Sequence, residues 1–379
     1  MRITRVEPVL FDAGLDRTWC FVRVDTDAGI RGYGEATTTE PHMVAAVVRR
    51  LGEWLAGEDP RRIQDLWQRM HGRYHNVRGG NLLLAAMSGI EHALWDVKGK
   101  AAGLPVYEML GGAVRDRVPA YCNHMFFTAA GDPTFPPGDA PDAPARFRDR
   151  AHEAVARGFR AVKLAPFGSL RDSIDARGLR QVCAVVGAVR DAVGPDVEIA
   201  VDTHGRFQMA AAVQVARALA DYRPWFLEEL APPENLQAMR RLRDLVDVPL
   251  ATGERVYGKW GFHALLEAGA AEILQVDVAH CGGILEARLI AGLAECHYVQ
   301  LAPHAWYGPV AMAASLQLDA TIPNLLVQEV PVPHVMPAAQ RELVGDQLVV
   351  TAGSLAIPDG PGLGIVLDEA VLERHRLPG

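Results

Sequence analysis

Glu198-Ile199-Ala200-Val201-Asp202-Thr203-His204 is a short apolar run that closes on an acid and a histidine, and its reading decides the fold. Glu228 follows Asp202 by 26 residues and Glu254 follows Glu228 by 26 more, each near the end of a similar run, Trp225 to Leu230 and Pro249 to Arg255. Five further runs lie outward of these: Val118 to Asn123, Ala161 to Ala165, Ile273 to Ala279, Val299 to His304 and Leu325 to Glu329. Their Val, Ile and Leu content without polar alternation suits strands buried on both faces of a parallel sheet, and helical stretches separate them. Eight such units in roughly 220 residues predict an α/β barrel of the TIM type.

The carboxylates follow from that rhythm. Successive strands deliver Asp202, Glu228 and Glu254 to one rim, an all-oxygen set of the kind Mg²⁺ prefers, with positions left for substrate and water. The alternative, separate salt bridges to Lys163, Arg206 and Arg255, explains one acid more easily than three equally spaced ones. Asp277, His304 and Glu329 continue the pattern at intervals of 23, 27 and 25 residues. Asp277 and His304 on neighbouring strands form a candidate carboxylate–imidazole dyad, with His304 as general base. A structural histidine in an apolar run is the competing reading. His204, two residues beyond Asp202 and so expected on the same side of an extended strand, is an acid–base candidate, a fourth ligand or a partner of a loop carbonyl. Lys163, a charge in an apolar strand, either orients a substrate carboxylate or neutralises the acids.

Before the barrel, Trp19 to Asp25 alternates and turns through Asp27-Ala28-Gly29 into Ile30 to Ala36, a hairpin. Leu83, Met87, Ile90, Leu94 and Val97 then recur at helical spacing, and Gly99, Gly103 and Pro105 are read as ending that helix. The expected domains are an α+β module over 1–117, the barrel over 118–335, and a C-terminal segment over 336–379 that packs back on the first module. Gly131 to Pro144, with five prolines, is a rim loop: a lid or a solvated insertion.

A net charge of -8, from 38 basic and 46 acidic residues, offers no attraction for phosphate backbones or anionic lipid. Five scattered cysteines form no C-x-x-C pair, and no apolar stretch is long enough to span a bilayer. Neither nucleic acid nor membrane is expected as a partner, and the cytoplasm is the expected location.

The residues also carry a resemblance. Ser88-Gly89-Ile90-Glu91-His92-Ala93-Leu94-Trp95-Asp96-Val97-Lys98-Gly99-Lys100, followed by Pro105 and Leu110-Gly111-Gly112, resembles the capping-domain helix of the mandelate-racemase group of the enolase superfamily. Val201 to Arg206, Leu227-Glu228-Glu229, Gly253-Glu254-Arg255, Val276-Asp277 with His280 to Ile284, Ala302-Pro303-His304 and Val327-Gln328-Glu329 most resemble galactonate dehydratases and related sugar-acid dehydratases of that group. The resemblance implies a modified (β/α)7β barrel under an α+β capping domain that the C-terminal segment completes. It implies one Mg²⁺ per subunit on Asp202, Glu228 and Glu254, a His304–Asp277 dyad that abstracts a proton, His204 as donor to the leaving group, and Glu329 as stabiliser of the enolate. Lys163, Arg255 and His124 are the expected substrate contacts, and a homo-oligomer acting on a small sugar acid is expected. The chain departs from racemases of the group at the second strand, where Lys163-Leu164-Ala165 replaces K-x-K, and this favours elimination. Leu230 and Val276 stand where proline is common, and Ala165-Pro166-Phe167 differs from the galactonate-dehydratase pattern. A racemase or epimerase and a catalytically silent metal-binding relative are the alternatives.

Overall fold

The structure is a computed structural model that describes residues 1–14, 17–73, 75–76, 79–123, 138–331 and 338–378. It opens with three antiparallel strands, β1 (Ile3–Gly14), β2 (Arg17–Thr26) and β3 (Arg31–Glu35). The hairpin of β2 and β3 matches the sequence reading; β1 does not appear in it. Over Glu7 to Phe11 every residue of β1 is buried, so both faces are covered and the alternation that marks a strand is erased. The stretch from Phe11 to Thr18 is mostly hairpin strand, with Gly14 paired to Arg17.

Four helices follow, α1 (Pro41–Leu55), α2 (Ile63–Arg73), α3 (Asn81–Ala102) and α4 (Val106–Met109). Along α3, nearly every residue from Leu83 to Gly99 is buried, because the helix lies between the sheet and the barrel. The sheet approaches so closely that a Cβ on Gly34 would stand 1.8 Å from the carbonyl oxygen of Gly89, which only glycine avoids. Gly103, at φ 68°, ends α3 in the left-handed conformation. Gly99 sits inside the helix, where the C-terminal segment passes close at Gly362.

The barrel alternates β4 (Arg117–Cys122), α5 (Ala143–Ala156), β5 (Ala161–Leu164), α6 (Ala176–Val193), β6 (Glu198–Asp202), α7 (Met209–Leu219), β7 (Leu227–Glu228) and α8 (Leu236–Arg243). It continues through β8 (Leu250–Thr252), α9 (Gly258–Ala268), β9 (Ile273–Leu274), α10 (Ile284–Cys296), β10 (Gln300–Leu301), α11 (Pro309–Asp319) and β11 (Gln328–Val330). Neighbouring strands are parallel, β11 returns to β4, and a bridge from Leu301 to Leu325 closes the ring. Eight strands joined by seven helices make the modified (β/α)7β barrel. Tyr121, Ala161, Ala200, Phe226, Ala251, Ile273, Ala302 and Val327, one from each strand or its flank, fill one layer of its interior.

The chain ends with α12 (Ala338–Val344), β12 (Ser354–Ala356) and α13 (Glu369–Arg374). β12 pairs with the start of β4, and the amides of Asp12 and Leu377 bond the carbonyls of His375 and Leu10, each at 2.8 Å, tying the C-terminus to β1. Among the described residues, no helix is long and apolar enough to cross a membrane.

Candidate active site

The side chains that carry chemistry stand one step above that interior layer. Asn123, Lys163, Asp202, Glu228, His304 and Glu329 each lie two residues beyond a member of the layer, so strand alternation turns them into the barrel at its C-terminal mouth. Glu254 lies three beyond Ala251. The extra residue is absorbed at Gly253, whose φ of 149° is open to glycine and rarely to other residues. Asp202 and Glu228 are direct partners across β6 and β7. Glu254, Asp277 and His304 fall past the ends of β8, β9 and β10, in the loops rather than on the strands, because the ladder stops where the chains splay towards the helices.

Asp202, Glu228 and Glu254 each offer a carboxylate oxygen, and these oxygens lie within 4.8 Å of one another. Burial, and then Asp202 beside it, push the Glu228 carboxyl well above the usual range. Glu228 Oε1 is buried without a hydrogen-bond partner, while Oε2 accepts from Lys163 Nζ at 2.6 Å. An orphaned carboxylate oxygen among converging acids is what a hard divalent cation would satisfy, so the donor set fits Mg²⁺.

His304 Nδ1 lies 2.7 Å from Asp277 Oδ2, and a carboxylate can only accept, so the Nδ1 proton points to Asp277 and Nε2 is left as the basic nitrogen. Nε2 is 3.3 Å from Glu254 Oε2 and 3.9 Å from Glu329 Oε2. Burial works against the imidazolium, but Glu254, Glu329 and Asp277 outweigh it and raise the pKa to about 10 in the absence of a cation. Burial likewise opposes ionised Asp277, yet His280 and His304 hold its carboxyl below the usual range.

His204 reaches the same place by another route. Its φ is 51°, so it is not an extended continuation of β6; its amide bonds Asp202 Oδ1 at 2.7 Å, and this local turn swings the ring back. Nε2 then lies 2.9 Å from Asp202 Oδ2 while Arg206 Nη2 approaches Nδ1 at 3.3 Å. Lys163, fully buried, bridges Glu228 and Glu329 at 2.6 and 3.0 Å, as a counter-ion to the acids would. Burial opposes its charge, but these two carboxylates keep it firmly protonated. Arg255 donates to both oxygens of Glu229, at 3.0 and 2.6 Å, so its fork is committed to a protein carboxylate. His124 and residues 131–137, the first half of the proline-rich loop, lie outside the described residues, and its last two residues, Ala143 and Pro144, already open α5.

Known proteins resemble this chain along its whole length. The family profile described as mandelate racemase / muconate lactonizing enzyme, N-terminal domain, matches residues 10–111, and that described as enolase C-terminal domain-like matches residues 146–371. The chain belongs to the enolase superfamily. It is 38% identical to a D-galactonate dehydratase of Ralstonia nicotianae over 99% of this chain and 95% of that protein. It is 36% identical to a D-gluconate dehydratase of Thermoproteus tenax over 99% of this chain and 74% of that one. The solved structure of a mandelate racemase/muconate lactonizing enzyme from Sulfitobacter sp matches with a TM-score of 0.91 at 32% identity, covering 100% of this chain and 96% of that one.

Several residues of the site escape a sequence reading. Asn123 donates to Glu329 from the end of β4, where its place after an apolar run was a usable signal. Glu329 also accepts from the amide of Ala305 at 3.0 Å, which fixes the loop that carries His304. His280 donates through Nε2 to the Thr37 carbonyl at 2.9 Å, and the Tyr307 hydroxyl lies 3.2 Å from its Nδ1. Tyr307 packs edge-on against His304 with ring centres 6.1 Å apart. No local pattern predicts the His280–Thr37 bond, since it joins the barrel to the capping module.

Proposed function

We propose that this chain is a Mg²⁺-dependent hydro-lyase that removes water from a sugar acid, through an enediolate intermediate, to give a 2-keto-3-deoxy sugar acid. The observation that carries the proposal is the His304–Asp277 hydrogen bond of 2.7 Å, which leaves a basic ring nitrogen beside the carboxylate triad. The relatives named for dehydration of D-galactonate and D-gluconate support it.

Asp202, Glu228 and Glu254 would hold the ion. When bound, Mg²⁺ supplies positive charge that offsets the negative charge developing on the substrate carboxylate. His304 Nε2 takes the proton from C2, and Asp277 stabilises the imidazolium that results. Lys163, held by Glu228 and Glu329, adds a fixed positive charge to a dry site. His204, with Nε2–H as its transferable proton, protonates the departing 3-hydroxyl, a contribution of typically ~10²- to 10⁴-fold. Glu329 accepts from Asn123 and Ala305, and so it steadies both Lys163 and the His304 loop beside the enediolate. Lys163 is buried and ion-paired, so it offers no second base opposite His304, and elimination is favoured over racemisation.

The test is a library of sugar acids incubated with the protein and Mg²⁺, read for 2-keto acid. Formation of 2-keto-3-deoxy acid from at least one member is expected. C2 exchange with solvent deuterium and inversion, without keto acid, would point to a racemase or epimerase instead.

A further inference from the structure

Arg17 begins β2, on the capping-module hairpin, and its guanidinium carbon lies 5.1 Å from the centre of the Trp306 ring. Trp306 stands two residues past His304 and packs on Tyr307, which in turn meets the His304 ring. Arg17 therefore reaches the loop that carries His304 from the capping module. All three of its side-chain nitrogens are shielded from solvent, and among the described residues none has a hydrogen-bond partner. Glu35, a capping-module acid that reaches this loop, is already committed to the amides of Gly308 and Ala311 at 2.7 and 2.9 Å.

A desolvated guanidinium whose one contact among the described residues is an aromatic ring is an expensive arrangement, because cation–π attraction replaces little of the lost hydration. Burial draws its pKa down to about 10, so Arg17 stays a cation at neutral pH. Its planar fork matches a carboxylate with two parallel hydrogen bonds, whereas a terminal hydroxyl offers one uncharged acceptor.

We propose that Arg17 holds a second carboxylate at the far end of the substrate, so that the preferred substrates are dicarboxylate sugar acids rather than monoacids. This rests on the sugar-acid reading above, in which the first carboxylate lies at the triad. Arg17 would act as a specificity residue, with no part in the proton transfers.

The experiment compares galactonate and gluconate with their C6-oxidised dicarboxylate counterparts, on the Mg²⁺-loaded protein, by calorimetric titration and by keto-acid formation. A dicarboxylate of suitable configuration should bind roughly ten- to hundredfold more tightly than its monoacid, the scale of one charge-assisted fork. Arg17→Met should bring that ratio close to one, and Arg17→Lys should keep part of it. A purely structural role, tying the hairpin to Trp306, would lower the affinity for both classes alike and leave the ratio standing. The proposal is overturned if the wild-type protein binds dicarboxylates no more tightly than monoacids, or not at all, or if Arg17→Met preserves the ratio. Should no acid yield keto product, the dehydratase reading falls while the binding ratio still decides the role of Arg17.

Discussion

His304 and His204 both lie against acids, and the proposed mechanism sets them opposite tasks: Asp277 accepts a hydrogen bond from Nδ1 of His304, while Asp202 Oδ2 lies 2.9 Å from Nε2 of His204. His304→Asn is expected to lose both dehydration and C2 proton exchange in D₂O, because no base remains. His204→Asn should lose dehydration more severely than exchange, since hydroxide departs poorly without an acid. Deuterium incorporation followed by NMR separates the two, and exchange surviving in His304→Asn but not in His204→Asn would reverse the assignment. Glu228→Gln, which keeps volume and removes one anionic ligand, should fold normally but bind Mg²⁺ much more weakly in a calorimetric titration. Activity should drop on the order of 10³-fold or more, since several kcal/mol of charge stabilisation depend on the ion. Undiminished Mg²⁺ affinity would remove Glu228 from the ligand set. The triad was legible because its spacing repeats; the grip of Lys163 on Glu228 and Glu329 was not, because one charge in an apolar run serves equally well as ligand contact or counter-ion.

At the scale of elements, the helix quoted for its family resemblance proves to be a fastening. Glu91 on α3 accepts from the amides of Ile284 and Leu285 at 2.9 and 3.0 Å, capping the N-terminus of α10, and also from Trp95 Nε1 at 2.7 Å. Ser88 Oγ accepts from the Gly282 amide, and Trp67 of α2 donates to the Gly282 carbonyl. Glu35 does the same for α11. The loops after Asp277 and His304 are thus held from the capping module, so their side chains point into the site with little freedom. Glu91→Ala would leave three donors unpaired, two of them in buried bonds, and should cost roughly 2–4 kcal/mol. Chemical denaturation checks this; a change under about 0.5 kcal/mol would show that the cap is dispensable.

Across the whole molecule, stability should depend on pH through His92, which is fully buried at the junction of α3 and the barrel. Its Nε2 donates to the Val278 carbonyl at 3.2 Å, and Nδ1 has no partner, so protonation would place a charge where nothing accepts it. Burial lowers its pKa to about 4, against about 6.5 in an unfolded chain. The unfolded chain binds the extra proton between these values, so the contribution is complete above about pH 6.5 and is lost as pH falls towards 4, by up to ~1.4 kcal/mol per unit. His92→Gln should flatten that part of the stability profile in denaturant titrations at stepped pH; an unchanged slope would show that His92 is not its source. By itself the sequence determined the barrel, the order of its strands and the convergence of Asp202, Glu228, Glu254, Asp277, His304 and Glu329. It could do so because one strand–helix unit recurs at near-constant length and a strand turns alternate residues inward. Only the tertiary structure decided that β1 completes the sheet, that Glu35 and Glu91 cap barrel helices, and that Arg17 meets Trp306. β1 is hidden because burial of both its faces erases alternation, while the other three contacts join residues about two hundred or more positions apart across two packed modules, and no local periodicity records which surfaces will meet.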